Sequence, residues 1–109
     1  MVAINAVLSL VKDKHWWVRY AVVNALKPLV KAGKVVAIDS VLSLVKDENW
    51  QVRRAVVYAL KPAVEAGKVV AIDAVSSLAE DQHPWIRGAA VNALKEVSKF
   101  KRLIVNAKS

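Results

Sequence analysis

Residues that could carry out nucleophilic, acid–base or metal chemistry are scarce in this sequence. The 109 residues include no cysteine, which removes thiolate nucleophiles and thiolate metal ligands. The two histidines, His15 and His83, lie too far apart in the chain to suggest a shared metal ion, and no His-Glu pair is present. We therefore predict no catalytic residue, no metal site and no cofactor, and we expect that the protein is not an enzyme.

Aromatic and basic side chains offer a different chemistry, that of binding. The chain has four tryptophans and two tyrosines, and 17 lysines and arginines against nine acidic residues give a net charge of +8. Trp, Tyr and Arg are the residue types most enriched at binding hot spots, because each combines a large surface with a hydrogen-bonding group. Which of them can act together depends on the elements that carry them.

The sequence contains three similar units with a period of 34 residues. The tripeptide Val-Ala-Ile recurs at that interval, and it places the units at residues 1–34, 35–68 and 69–102. A chain of this length can hold one core, so residues 1–109 are predicted to form a single repeat domain. Residues 103–109 are expected to extend the last helix.

Apolar residues at helical spacing predict two helices in each unit. In the first unit, the i, i+3, i+4, i+7 spacing from Ile4 to Val11 indicates a helix A over residues 2–12. A second apolar stripe indicates a helix B over residues 16–32 and comprises Val18, Ala21, Val22, Ala25, Leu26 and Leu29. Neither helix can bury its stripe alone, so we expect an all-α solenoid of three stacked helical hairpins.

Glycine and proline residues determine where helix B is expected to end. Gly33 and Gly67 supply the left-handed backbone that terminates a helix. Pro28 and Pro62 lie inside helix B, where each removes one backbone hydrogen bond, and we expect a kink or an early break there. The third unit has Glu96 in place of the proline and lacks the terminal glycine, so its helix B is expected to continue to about residue 107.

The turn between helices A and B carries a motif that recurs in every unit. An Asp closes helix A, a Val-Arg or Ile-Arg pair follows five and six residues later, and helix B continues with small apolar residues such as Ala21, Ala25 and Leu26. Over residues 1–102 this motif resembles HEAT and HEAT-like (phycobilin-lyase type) repeats. The resemblance implies a structural ladder between repeats, formed by Asp13, Arg19, Asp47, Arg53, Asp81 and Arg87. The alternative is that the three arginines contact an anion.

HEAT-like solenoids turn helix B towards their concave side, so the resemblance also implies a groove lined by the three B helices. At about 100° per residue, positions 16, 17, 20, 24, 27 and 31 and their equivalents form one arc opposite the apolar stripe. The candidate groove-binding residues are Trp16, Trp17, Tyr20, Asn24, Trp50, Gln51, Arg54, Tyr58, Trp85 and Asn92. The basic edge of the groove comprises Lys27, Lys31, Lys61 and Lys95. Trp16 and Trp50 also fit a second role, as caps on the core.

These features favour a non-enzymatic recognition scaffold that binds a peptide segment or a protein surface in the concave groove. Nucleic-acid binding through the basic, aromatic groove is the alternative. A purely architectural fragment of a longer array, or an engineered repeat protein, is the third interpretation. HEAT-like DNA glycosylases use an acidic groove residue, and the only acid in this groove is Glu65, so that activity is not favoured.

The first unit has the same apolar residues on its outer side as the internal unit, which predicts an exposed apolar flank. We expect either a chain cut from a longer array or self-association through helix A, burying Val2, Ala3, Val7 and Leu10 against a second copy. No segment has the ~20 apolar residues of a membrane span, nor the pattern of a signal peptide. We therefore expect no membrane partner and a cytoplasmic location.

Overall fold

The computed structural model describes the backbone of residues 2–108 and the side chains of residues 4–95 and 97. This part of the chain forms helices without any strand: α1 (Val2–Ser9), α2 (Trp16–Lys31), α3 (Val35–Leu42), α4 (Trp50–Glu65), α5 (Val69–Leu78) and α6 (Pro84–Lys108). A 3-10 turn over Leu10–Lys12 follows α1. Successive helices pair into stacked hairpins, so the predicted all-α solenoid is confirmed.

The long helices α2, α4 and α6 pack side by side in one layer, with α4 in the middle. The short helices form the second layer: α3 contacts α2 and α4, and α5 contacts α4 and α6. Contacts between α3 and α5 are few, whereas the long helices contact each other extensively. The long helices therefore form the more extensively packed layer, and the resemblance to HEAT-like repeats predicts that this layer is the concave side of the stack.

The burial of equivalent residues differs between hairpins. The buried apolar residues of α2 are Val22, Val23, Leu26 and Val30. Ala21 and Ala25, which the periodicity assigns to the core stripe, are exposed, whereas the equivalent Ala55 and Ala59 of α4 are buried. Helix α4 has a hairpin on each side and α2 has one within this chain, so the same sequence pattern meets a neighbour in α4 and solvent in α2.

Two glycines end α2 and α4, as the sequence predicts. Gly33 and Gly67 have φ angles of 78° and 80°, in the left-handed region. The N–H of Gly33 donates to the carbonyl of Val30 and the N–H of Lys34 to the carbonyl of Leu29, both at 2.9 Å. These bonds satisfy carbonyl groups that the end of the helix would otherwise leave unpaired.

The prolines do not break the helices that contain them. Pro28 lies inside α2, which continues to Lys31, and Pro62 lies inside α4, which continues to Glu65. Each proline lies within the last turn of its helix, where few hydrogen bonds remain to be lost, and it leaves only one carbonyl without its helical donor. The early break expected from sequence is therefore wrong.

Helix α6 is 25 residues long and ends at Lys108. Neither α6 nor another described helix combines the length and the apolar character needed to cross a membrane. The sequence also predicts that the last residues of α6 cover the end of the stack with apolar side chains. That prediction concerns side chains outside the described residues.

Candidate ligand-binding groove

Two buried ion pairs connect the hairpins that carry the groove. Nε of Arg19 donates to Oδ1 of Asp47 at 2.7 Å and its Nη2 donates to Oδ2 at 3.1 Å. Arg53 donates to Asp81 in the same way, at 2.8 and 3.2 Å. Through Nη1, Arg19 and Arg53 also donate to the backbone carbonyls of Asp13 and Asp47, each at 2.7 Å. Each guanidinium group therefore connects its own hairpin to the following one.

In each pair, one member has a shifted pKa that favours its charged form. The hydrogen bond with Asp47 raises the pKa of Arg19 above its ordinary value. Burial acts to raise the pKa of Asp81, but the hydrogen bonds from Arg53 and the backbone N–H of His83 outweigh burial and hold that pKa below its ordinary value. Arg19 and Arg53 are only 8% and 7% exposed, so they offer little surface to an external anion.

The outer residues of the predicted ladder, Asp13 and Arg87, have different partners. Asp13 accepts hydrogen bonds from the backbone N–H of His15 at 2.9 Å and pairs with its ring at 3.0 Å, and these bonds lower the pKa of Asp13. Arg87 is exposed and donates to the carbonyls of Asp81 and Gln82 at 2.8 and 3.0 Å. Among the described residues, neither has a charged partner in a neighbouring hairpin.

A cleft opens between α2 and α4, in the layer of long helices. It has a volume of about 240 Å³ and is lined by Trp16, Tyr20, Asn24, Lys27, Trp50, Gln51, Arg54, Ala55 and Tyr58. Eight of these residues belong to the arc predicted from the helical period. Sequence reasoning missed Ala55, because its position lies in the apolar stripe and alanine carries no chemical signal. We call this feature the α2–α4 cleft.

Trp16 and Trp50 lie between the hydrophobic core and the cleft. Each side chain is half-buried and packs against the hydrophobic core, and each also lines the α2–α4 cleft. The ring of Trp16 makes edge contacts with Trp17 and Tyr20, at centroid distances of 6.2 and 6.3 Å. Burial of one face therefore holds these large side chains in place while the other face remains available for contact.

Tyr58 brings two cations together in the α2–α4 cleft. Cζ of Arg54 lies 5.4 Å from its ring centroid, and Nζ of Lys27, from the preceding hairpin, lies 6.0 Å from it. Among the described residues, no acidic side chain lines the cleft and neither cation forms an ion pair. This part of the chain therefore gives the cleft a positive charge and supplies no counter-ion to it.

A second aromatic cluster joins α4 to the start of α6. The ring of His83 stacks on that of Trp50, with 4.3 Å between the ring centroids and an interplanar angle of 19°. Trp85 meets Trp50 edge-on at 5.9 Å and is 64% exposed. Sequence reasoning placed Trp50 and Trp85 in the groove but missed His83. The available signal was its position in the turn directly before the third B helix.

The remaining predicted groove residues lie outside the α2–α4 cleft. Trp17 is 55% exposed, and its ring centroid lies 4.5 Å from that of His15. Its equivalent Gln51 lines the cleft, because that position faces the preceding hairpin, which α2 does not have in this chain. Four further residues predicted for the groove or its basic edge are exposed but do not line the cleft: Lys31, Lys61, Asn92 and Lys95. The structure therefore brings together Tyr20, Arg54 and Tyr58, but not Trp17.

The described side chains include no group of three or more metal-ligating residues placed to hold an ion. The chemistry available in the groove is stacking, hydrogen bonding and charge attraction.

Comparison with known proteins identifies the type of repeat in this chain. A family model described as HEAT repeats matches residues 2–61 and again residues 38–103. The overlapping matches extend through all three hairpins. A search of curated proteins finds no match to the chain.

Proposed function

The chain belongs to the HEAT-repeat family, whose repeats commonly serve as scaffolds for protein interactions, and from that premise we propose that its concave groove binds a peptide segment or a protein surface. The family is typically non-enzymatic, so binding is the activity to be explained. The observation that supports the proposal best is the α2–α4 cleft, where aromatic and cationic side chains of two hairpins converge.

The cleft exposes aromatic rings, whereas the core positions of the same helices are filled by valine, alanine and leucine. Tyr20 and Tyr58 are 39% and 46% exposed, and both line the cleft together with the half-buried Trp16 and Trp50. The Tyr20 ring also meets Trp16 edge-on, with 6.3 Å between the ring centroids. Amphipathic rings of this kind contribute large contact areas at low entropic cost when a partner covers them. Tyr20 and Tyr58 are therefore the expected anchors of the interaction.

Nucleic acid fits this surface less well, because the basic edge is interrupted. Lys31 occupies the last turn of α2, and its equivalent in α4 is Glu65, which lies two turns beyond Tyr58 on the same face. A phosphate backbone requires a continuous series of cations, and a carboxylate in that series repels it. A peptide tolerates this alternation of charge along the groove.

The test is selection of ligands from an unbiased display library of short random peptides on the immobilised chain. We expect a defined group of peptides whose affinity falls about tenfold or more in the Tyr20→Ala/Tyr58→Ala variant, as for hot-spot residues. The control is Val91→Ala, which shortens an exposed apolar side chain on α6 outside the cleft and should leave affinity unchanged.

The nucleic-acid alternative is tested in parallel with mixed single- and double-stranded oligonucleotides. Phosphate contacts release counter-ions, so such binding weakens steeply between about 50 mM and about 200 mM salt. Micromolar oligonucleotide binding with this salt dependence, together with no selected peptide, would overturn the proposed function.

A further inference from the structure

Building on the proposed function of the groove, we infer that its ligand is an extended acidic peptide and that Lys27 and Arg54, beside Tyr58, receive one of its carboxylates.

The positions of the two cations favour a shared anion. Lys27 comes from α2 and Arg54 from α4, yet both approach the ring of Tyr58 to within 6.0 Å of its centroid. Both residues also line the α2–α4 cleft, so their charged groups lie near one ring within the same cleft. A carboxylate that enters beside Tyr58 is therefore within reach of a lysine and an arginine from different hairpins.

The arginines of this chain fall into two groups according to their partners. Arg53 is buried and bonded to Asp81, while its neighbour Arg54 is exposed, lines the cleft and has no carboxylate partner among the described residues. A charge-assisted hydrogen bond from guanidinium to carboxylate is about twice as strong as a neutral one. Arg54 can still form such a bond, whereas Arg53 has already formed one.

The surroundings of the two cations favour a peptide as the source of the carboxylate. Trp16 and Tyr20 present half-covered rings to an apolar side chain, and the side-chain amides of Asn24 and Gln51 can both donate to and accept from a peptide backbone. The cleft volume of about 240 Å³ suits one or two side chains of an extended segment. The acidic peptide would therefore place an apolar residue next to an Asp or Glu.

The experiment compares selections from the same random-peptide library on the wild-type chain and on the Lys27→Glu/Arg54→Glu variant. The matched control is Lys34→Glu/Lys68→Glu, which makes the same change in net charge at exposed residues outside the cleft. We expect the wild-type pool to be enriched in Asp and Glu. The best acidic peptide should bind about tenfold or more weakly to Lys27→Glu/Arg54→Glu and within about threefold of wild type to the control.

A charge-swapped peptide completes the test. Replacement of its acidic residues by lysine should abolish binding to the wild-type chain and restore binding to Lys27→Glu/Arg54→Glu, which also shows that this variant is folded. A wild-type pool rich in neutral or basic peptides, or equal losses in the variant and the control, would overturn the inference but not the groove proposal. Failure to select any peptide would count against both.

Discussion

Nε of Arg53 lies 2.8 Å from a carboxylate oxygen of Asp81 in the following hairpin, and the same contact, 34 residues earlier in the chain, joins Arg19 to Asp47 at 2.7 Å. In both pairs the side chains are less than a tenth exposed. The contacts therefore recur at each junction between described hairpins, inside the stack and not on its surface. Removing one member of such a pair leaves a desolvated charge without a partner.

Arg53→Gln is expected to lower the free energy of unfolding by about 3 kcal/mol, because it leaves the buried Asp81 carboxylate without its charged partner. The control is Arg87→Gln, at the equivalent position of the last hairpin. Arg87 is exposed, and within the described part of the chain it bonds only to carbonyls of its own hairpin, so the loss should stay below about 1 kcal/mol. Urea denaturation followed by circular dichroism measures both, and equal losses would contradict the structural role of the buried pair.

Stability should fall in acid partly through Asp81. Its pKa in the folded chain is lowered from its ordinary value, so the folded state favours the ionised carboxylate. This contribution is fully present above the unfolded-state pKa and is lost as the pH falls through the lower folded-state pKa. We expect melting temperatures of the wild-type chain to drop below about pH 4.

The matched variant for the acid transition is Asp81→Asn, which cannot ionise. It should melt at a lower temperature than wild type at pH 6, and its melting temperature should fall less on acidification. The plots of melting temperature against pH for the two proteins should therefore converge at low pH. Parallel melting curves over the whole range would show that Asp81 does not contribute to the acid response.

Substitution of glycine by alanine should change the stability of this protein in opposite directions at different positions. Gly33 and Gly67 have positive φ and open space around the added Cβ, so Gly33→Ala and Gly67→Ala should each cost about 1 kcal/mol through backbone strain alone. Gly88 lies inside α6, also with open space, and Gly88→Ala should stabilise by about 0.5–1 kcal/mol. Thermal unfolding of the three variants checks the signs. A stabilising Gly67→Ala would contradict the predicted strain.

Self-association through helix A of the first hairpin remains a prediction. Leu10 is 41% exposed and Val7 is half-buried, while the side chains of Val2 and Ala3 lie outside the described residues. We expect sedimentation equilibrium over a hundredfold concentration range to show a reversible dimer that Leu10→Lys dissociates. Val91→Lys, at an exposed apolar site on α6, serves as the control. A monomer of 11.9 kDa at every concentration would contradict self-association.

Local sequence determined the elements and most of their ends. The apolar spacing from Ile4 to Val11 and the glycines at 33 and 67 predict boundaries close to those observed, because helical period and left-handed termination depend on neighbouring residues alone. The angular position of side chains on helix B likewise predicts eight of the nine residues of the α2–α4 cleft. The break expected at Pro28 is the exception, since the effect of a proline depends on how many helical bonds lie beyond it.

Only the tertiary structure decided which of several equivalent residues meets a neighbour. Ala21 and Ala55 occupy the same position of helix B, yet Ala21 is exposed and Ala55 lines the cleft; Trp17 and Gln51 differ in the same way. The pairing of Tyr58 with Lys27 is also invisible to the sequence pattern of either hairpin alone. Identical local sequences have identical local preferences, but burial and charge pairing depend on the hairpin stacked beside them, and that contact is made only when the chain folds.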